Sequence, residues 1–206
     1  LAEHNLLRST RRKVVRHGQS INLGQFRIEF IKTNHSIQDA SALAIYSPAG
    51  IVVHTGDFKV DYTPVFGDAI DLQRFAEIGK KGVLALMSDS TNAERPGFTQ
   101  SERTVGATFD RIFAEHTNSR IIIATFASNV DRVQQIINSS YKFGRKVVVE
   151  GRSMVNIISV ASELGYLNVP DNTLIEVDQL RNYPPEKTTI ITTGSQGESM
   201  AALSRM

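Results

Sequence analysis

The sequence predicts an α/β protein, because strand-length apolar runs alternate with segments of helical spacing along its second half. The runs at residues 120–126, 146–150 and 188–193 are rich in isoleucine, valine and threonine. Between them, one helix is predicted to begin at Ser128 and stop at Gly144. Strands and helices of these lengths in alternation predict parallel βαβ units. We therefore expect a doubly wound parallel sheet in this half of the chain.

The first half of the chain also contains strands, and several of them end in polar loops. Alternating apolar and polar side chains predict the first strand, and a turn at 47–50 separates the next two. Asp71 is the predicted N-cap of a helix with apolar side chains at helical spacing. The predicted elements of this half are strands at 26–32, 40–46, 51–54 and 83–87 and a helix over 71–80.

A domain boundary is predicted at Pro96-Gly97, so that residues 1–97 and 98–206 belong to different domains. After the boundary, Thr99 and Glu102 form the pattern of a capping box at the start of a helix. The second domain is predicted to contain two further elements. The predicted inward face of the helix after the boundary is Val105, Phe109, Ile112 and Phe113, and the further elements are a helix over 153–164 and a short strand at 174–177.

Composition indicates a folded protein with almost balanced charge. The chain has 206 residues, 41% of them hydrophobic, which is enough for a sizeable core. A formal net charge of +2 means that any contact with nucleic acid depends on local basic patches. No cysteine is present, which excludes disulfides and thiolate metal sites and suits the cytosol. No apolar run approaches the length of a membrane span, so we expect a soluble protein.

Polar side chains follow three of the predicted strands at the point where each strand ends. His35 follows the strand at 26–32, Asp57 follows 51–54, and Asp89 follows 83–87. Open α/β folds place their chemistry at such loops. Imidazole and carboxylate are the ligands expected for zinc or manganese, although two ligands do not make a site. Taken alone, Asp57 is more readily explained as an ordinary turn residue, and Asp89 could also serve as an Asx turn or loop cap.

Three groups of residues give this chain a family resemblance. They are the Thr-Asn-His-Ser at 33–36 with the Tyr-Ser-Pro-Ala-Gly-Ile-Val-Val-His-Thr-Gly-Asp-Phe-Lys at 46–59, the Leu-Met-Ser-Asp-Ser-Thr-Asn-Ala-Glu at 86–94 with Pro-Gly-Phe-Thr at 96–99, and the Thr-Gly-Ser-Gln-Gly-Glu at 193–198. Together they resemble the ribonuclease J family, which belongs to the β-CASP branch of the metallo-β-lactamase-fold nucleases. The Ser-Asp-Ser-Thr-Asn-Ala and Gly-Ser-Gln-Gly-Glu stretches are more specific than Thr-Gly-Asp, which the wider superfamily shares.

The resemblance implies a fold and an activity. Residues 1–97 would form part of a metallo-β-lactamase αββα sandwich, and 98–206 part of a β-CASP domain with the doubly wound sheet. The implied activity is hydrolysis of phosphodiester bonds in single-stranded, 5′-monophosphorylated RNA, both as a 5′-to-3′ exonuclease and as an endonuclease. The enzyme would be cytoplasmic and would act in ribosomal RNA processing and messenger RNA decay. The protein would form a homo-oligomer or assemble with a related nuclease subunit, and it would not associate with a membrane.

The resemblance also assigns roles to individual residues. Asp57 would bridge two divalent metal ions, zinc by default and manganese as the alternative, and His35 would bind one of them. Asp89 would orient the attacking hydroxide or handle a proton. Phe126, Ala127 and Ser128 would hold the RNA. From the residues alone, Ser128 is more readily explained as a plain N-cap, although a helix start also suits a phosphate.

Part of the family pattern is missing from the sequence. His-x-His-x-Asp-His and His-x-Ser-Gly-His, which supply further metal ligands in the family, do not occur. We therefore expect the chain to be an internal piece of a longer protein, to bind metal weakly and to be inactive alone. Two alternatives stay open: a metallo-β-lactamase-fold hydrolase of small esters or lactones, and a non-catalytic scaffold paralogue that binds RNA or a partner nuclease.

Two further features suggest contact with RNA. A basic cluster near the start of the chain is either a solvated surface or a set of contacts to the phosphate backbone. The Gly-Ser-Gln-Gly loop at 194–197 lies between a predicted strand and a helix, but a lone glycine-containing loop is weak evidence for phosphate binding. The basic cluster consists of Arg8, Arg11, Arg12, Lys13 and Arg16.

Overall fold

The computed structural model describes residues 6, 8 and 10–205 and has a mixed α/β architecture. These residues form two compact units, neither of which is continuous in the chain. The first unit contains the described residues up to Thr33, with Ala40–Phe58 and Ile70–Ala93. The second contains Asn34–Asp39, Lys59–Ala69 and the described residues from Glu94 onward. The domain boundary after residue 97 stays a prediction.

The first unit is built on a five-stranded sheet in the order β1-β2-β3-β4-β5. The first four strands pair antiparallel, and β5 lies parallel to β4. One helix, α1, belongs to this unit. Its elements are β1 (Ser20–Leu23), β2 (Phe26–Lys32), β3 (Ser41–Ser47), β4 (Gly50–His54), α1 (Leu72–Lys80) and β5 (Ala85–Met87).

Helix α1 packs on one face of the first sheet. Asp71 caps it as predicted, since its side chain accepts the Arg74 N–H at 2.9 Å. Ile78 is buried against Ile31 and Val53 of the sheet. Strand alternation places the remaining large apolar side chains of β2 to β4 on the opposite face. Phe26 is exposed, and the half-buried side chains on this face are Ile28, Phe30, Leu43, Ile45 and Val52.

An ion pair reinforces the attachment of α1. The buried Glu29 carboxylate accepts hydrogen bonds from Arg74 Nε at 2.5 Å and from a terminal Arg74 nitrogen at 2.9 Å. The Tyr46 hydroxyl donates to the same carboxylate at 3.0 Å. The hydrogen bond from Arg74 is the main reason why the pKa of Glu29 lies below its ordinary value. The charge of Glu29 is therefore compensated inside the unit.

The second unit has a three-stranded parallel sheet in the order β6-β8-β7. Its core joins this sheet to three helices and includes Phe113, Val133, Ile137, Met154 and Ile191. The elements are α2 (Arg103–Glu115), β6 (Ile121–Ala124), α3 (Val130–Lys142), β7 (Lys146–Glu150), α4 (Arg152–Glu163) and β8 (Thr188–Thr192), with 3₁₀ helices at Val177–Asn182, Pro185–Lys187 and Leu203–Arg205.

The predicted strand at 174–177 and the predicted start of α2 both differ from the structure. The predicted strand at 174–177 is a single parallel bridge between Leu174 and Val147, because the chain turns into a 3₁₀ helix at Val177. The predicted capping box does not form, since α2 begins after Glu102, whose side chain makes no capping bond. The predicted inward face of α2 is confirmed by the burial of Phe109 and Phe113.

Arg145 is a buried cation in the second unit. Its guanidinium donates to the carbonyl oxygens of His116 at 2.5 Å, Ser119 at 2.8 Å and Thr188 at 3.2 Å. Its central carbon lies 5.5 Å from the ring centroid of Phe113. Burial lowers its pKa. Arg145 thus closes the carboxyl end of α2 against the neighbouring strands.

Across the residues that the structure describes, no helix is both long enough and apolar enough to cross a bilayer.

Candidate active site

Asp57 lies on a loop that follows β4 directly. The strand ends at His54, the buried Thr55 comes next, and the exposed Asp57 stands at a bend. Between them, Gly56 has a φ of +60°, and a Cβ at this position would lie 3.1 Å from the carbonyl oxygen of Ser41. A side chain here would be strained by the backbone and crowded by Ser41. Glycine therefore sets the direction in which the chain enters Asp57.

Asp89 lies on the loop after β5, next to the loop that carries Asp57. The Asp89 N–H donates to Thr55 Oγ1 at 3.0 Å. The Thr55 N–H donates to the carbonyl oxygen of Met87 at 3.0 Å. These two bonds join the chain segments at the carboxyl ends of the parallel neighbours β4 and β5. The structure thus brings the loops of Asp57 and Asp89 together where open α/β sheets place their chemistry.

The carboxylate of Asp89 also forms the turn that follows it. Its Oδ1 accepts the Thr91 N–H at 2.9 Å and the Thr91 hydroxyl at 2.7 Å. This is an Asx turn, one of the two roles that the sequence left open for Asp89. The turn fixes the orientation of the carboxylate, which a group that orients a nucleophile also requires.

His35 belongs to the second unit, on the segment Asn34–Asp39. Its ring is half-buried. The preceding Asn34 forms an isolated antiparallel bridge with Lys59 and accepts the Lys59 N–H at 2.8 Å. The side-chain amide of Asn34 donates to the carbonyl oxygen of Asp68 at 3.1 Å. The backbone beside His35 is therefore fixed by hydrogen bonds within its own unit.

The donor atoms at these positions are of the kinds that bind a divalent metal ion, but they are too few to complete a site. One imidazole and carboxylates suit zinc or manganese. A catalytic zinc needs about three protein ligands, and a metal pair needs more. Over residues 6, 8 and 10–205, no group of three or more His, Cys, Asp or Glu side chains is placed to hold a metal ion. The imidazole of His35 and the carboxylate of Asp57 are each a ligand type that such a site uses, and the two residues belong to different units.

Phe126, Ala127 and Ser128 connect β6 to α3. Phe126 is 47% exposed. Ala127 packs against the core of the second unit, and Ser128 is half-buried. An exposed aromatic ring on a loop anchored in the core offers a surface on which an unpaired base can stack.

The helix after this loop begins later than the sequence predicted. Its N-cap is Asn129, whose side chain accepts the Arg132 N–H at 3.1 Å, and α3 starts at Val130. Ser128 is not the cap, since its carbonyl accepts the Val130 N–H at 3.0 Å in the preceding turn. Asp131 adds a negative charge to the first turn. A phosphate at this helix start would therefore meet a carboxylate.

The other two predicted RNA-facing regions have different surroundings. The basic cluster from Arg8 to Arg16 is exposed at each of its five cations. In the glycine-containing loop, Ser195 and Gln196 are exposed and Gly194 is buried. A Cβ on Gly194 would lie 2.9 Å from the Cβ of Leu203. The main constraint on Gly194 is thus packing within the second unit.

A network of charged side chains in the second unit was missed by the sequence analysis. Glu102 binds Arg132 through contacts of 2.6 and 3.2 Å. Lys59 Nζ lies 3.5 Å from an Asp61 oxygen and 3.9 Å from a Glu102 oxygen. Burial acts to raise the pKa of Asp61, but hydrogen bonds, first that from the Thr63 N–H, outweigh it and keep the pKa low. In the sequence, this network is indicated only by Lys59 and Asp61, two opposite charges that lie two residues apart.

Comparison with known proteins relates the chain to ribonucleases. The family model of the ribonuclease J β-CASP domain matches residues 118–206. A ribonuclease J from Synechocystis sp. is 47% identical over 207 residues, covering 100% of this chain and 32% of that protein. A ribonuclease J from Helicobacter pylori is 48% identical over 194 residues, covering 94% of this chain and 28% of that protein. The chain spans about a third of the length of these curated relatives.

A crystal structure of a protein of unknown function from Enterococcus faecalis has a similar fold. It superposes with a TM-score of 0.64 and 19% sequence identity, covering 91% of this chain and 46% of that chain. At this identity the likeness concerns the fold alone. The sequence relatives are far more similar, and their alignments include the loops of His35, Asp57 and Asp89. On this sequence similarity, the chain belongs to the ribonuclease J family, and residues 118–206 correspond to its β-CASP domain.

Proposed function

We propose that this chain is part of a metal-dependent ribonuclease that hydrolyses phosphodiester bonds in single-stranded RNA. The observation that carries the proposal is the junction of the Asp57 and Asp89 loops at the ends of β4 and β5, in a chain of the ribonuclease J family. The substrate proposed is 5′-monophosphorylated RNA, attacked from its 5′ end or internally.

The proposed fold has two domains, a metallo-β-lactamase part at residues 1–97 and a β-CASP part at 98–206. Apolar side chains on both faces of the first sheet support the first domain, since each sheet of an αββα sandwich packs a helix on one face and a second sheet on the other. The three parallel strands of the second unit support the doubly wound sheet of the second domain.

Each residue has a distinct proposed role. Asp57 would bridge two divalent ions, and His35 would bind one of them. When bound, such ions supply Lewis acidity to the scissile phosphate and lower the pKa of the attacking water toward about 7. Asp89 would hold that water in line or accept its proton, with its orientation fixed by Thr91. Phe126 would stack on a base so that the phosphodiester is positioned for attack.

The test uses the intact protein that contains this chain, with metal analysis and cleavage of a 5′-monophosphorylated single-stranded RNA. Asp57→Asn should lose metal and cleavage together, because asparagine lacks the bridging charge. Asp89→Asn should retain metal and reduce cleavage by roughly a hundredfold or more, as expected for a proton-handling group. The control is Asp171→Asn, which changes an exposed turn aspartate of the second unit and should alter neither property.

The outcomes separate this proposal from its alternatives. RNA binding without metal or cleavage in the parent protein would identify a non-catalytic scaffold. Turnover of lactones or small esters, without RNA cleavage, would identify a different hydrolase of the same fold. We expect the 206-residue chain alone to be inactive, since the two histidine motifs of the family are absent from its sequence.

A further inference from the structure

The segment that carries His35 is held inside the second unit by side-chain hydrogen bonds to two other elements. Gln38 Nε2 donates to Asp131 Oδ1, at the start of α3. Tyr166, which lies just beyond the end of α4, donates its hydroxyl to Asp39 Oδ2. The bond to Asp39 is also the main reason why the pKa of Tyr166 is raised. The far end of the segment is thus attached to helices of the second unit.

The start of α3, to which Gln38 attaches, is joined to the core of the second unit. Val133, on the first full turn of the helix, is completely buried in the core. Asn129 caps the helix, and the neighbouring Arg132 is paired with Glu102. The preceding loop, residues 126–128, leads directly into this cap. Two functional segments, the His35 segment and the loop 126–128, therefore attach to the same helix start.

We propose that the hydrogen bond from Gln38 to Asp131 couples RNA binding at the loop 126–128 to the order of the segment that carries His35. The inference rests on the proposed function of these segments. RNA stacked on Phe126 restrains the start of α3, and Asp131 transmits that restraint through a charge-assisted hydrogen bond. Coupling between two sites is reciprocal, so the factor by which bound RNA would raise the affinity of the His35 segment for a metal ion equals the factor by which that ion would raise the affinity for RNA. Gln38 and Asp131 are positioning residues in this scheme.

The test measures hydrogen exchange at residues 34–39 in the intact, metal-free protein, with and without a short 5′-monophosphorylated single-stranded RNA. RNA should slow exchange of this segment in the parent protein. In Gln38→Ala, the segment should exchange about tenfold faster without RNA, the factor that corresponds to one net hydrogen bond. RNA should no longer slow exchange of the segment in that variant.

A matched control has the same chemistry in the other unit. Gln73 Nε2 donates to a Glu77 carboxylate oxygen at 3.1 Å on the exposed side of α1. Gln73→Ala removes a glutamine-to-carboxylate bond without touching α3. The RNA-dependent protection of residues 34–39 should remain in this variant.

Exchange of donor and acceptor gives a rescue test. Gln38→Glu alone sets a second carboxylate against Asp131 and should abolish the RNA-dependent protection by repulsion. Adding Asp131→Asn restores a donor and a charged acceptor with their roles reversed, and the protection should return. A purely structural contribution to global stability would change exchange throughout the second unit rather than the RNA-dependent part at residues 34–39.

The outcomes distinguish this inference from the proposed function. A parent protein that binds no RNA overturns the proposed function, and the inference falls with it. A parent protein that binds RNA without protecting residues 34–39 refutes the inference alone. Full RNA-dependent protection in Gln38→Ala would also refute the inference and leave the proposed function standing.

Discussion

Gly56→Ala is the sharpest test of how the fold positions Asp57. The new methyl group would occupy a backbone with φ +60° and would lie 3.1 Å from the Ser41 carbonyl oxygen on β3. Gly24→Ala is a matched control in the same unit, because Gly24 has φ +58° and no atom within 4 Å of a Cβ. The two substitutions share the backbone strain and differ in the steric contact.

The magnitudes follow from that difference. A left-handed conformation costs a residue with a side chain roughly 1–2 kcal/mol. Gly24→Ala should therefore lower the free energy of unfolding by about 1 kcal/mol. Gly56→Ala should lower it by about 2–3 kcal/mol, because crowding against a fixed backbone oxygen adds roughly 1 kcal/mol or more. Relief of that crowding displaces Asp57, and a displacement of about 1 Å at a reacting centre costs about a hundredfold in rate.

Urea unfolding followed by far-UV circular dichroism measures the stability of both variants, and cleavage of single-stranded RNA by the intact protein measures the displacement. We expect cleavage to survive in Gly24→Ala and to fall in Gly56→Ala. Equal loss of stability in the two variants, with unchanged cleavage in both, would refute the argument that close approach to Ser41 sets the course of the Asp57 loop.

Three further predictions concern other contacts. The pKa of Glu29 lies below its ordinary value of 4.5, mainly because of its hydrogen bond with Arg74, so ionised Glu29 stabilises the fold above pH about 4.5. The free energy of unfolding should therefore decline as the pH falls below that value. Glu29→Gln should lack this part of the decline in urea titrations at several pH values. Asn129→Ala should cost about 1 kcal/mol through loss of the cap of α3, whereas Ser128→Ala should be nearly neutral in the same unfolding assay. Phe126→Ala should weaken RNA binding by roughly 1–3 kcal/mol in a filter-binding assay with little change in melting temperature, and an unaltered affinity would exclude base stacking on this ring.

The periodicity of the sequence predicted most elements, because burial on one face leaves a readable pattern. The strand at 26–32 is confirmed, since its alternation matches a sheet with α1 packed on one side. The inward face of α2 is confirmed for the same reason. The short stretch at 174–177 misled because a brief apolar run has no period, and only the pairing of Leu174 with Val147 shows how far the strand extends.

Helix starts and loop positions were harder to predict, for a different physical reason. Ser128 and Asn129 are adjacent and both are good caps, so only the backbone hydrogen bonds of the turn decide between them. The His35 segment belongs to the second unit, where its side chains contact Asp131 and Tyr166, which are distant in sequence. Hydrophobic patterning contains no information about such contacts.

The burial of Arg145 affects how genetic data on this protein should be interpreted. When substitution of an arginine abolishes the activity of a ribonuclease, that arginine is readily assumed to bind a phosphate of the RNA. Here the guanidinium serves three backbone carbonyls in the core, and its planar fork cannot be reproduced by the single nitrogen of lysine. Variants at this position would therefore lower the amount of folded protein in a cell, and a screen that scores activity alone would record them as substrate-binding defects.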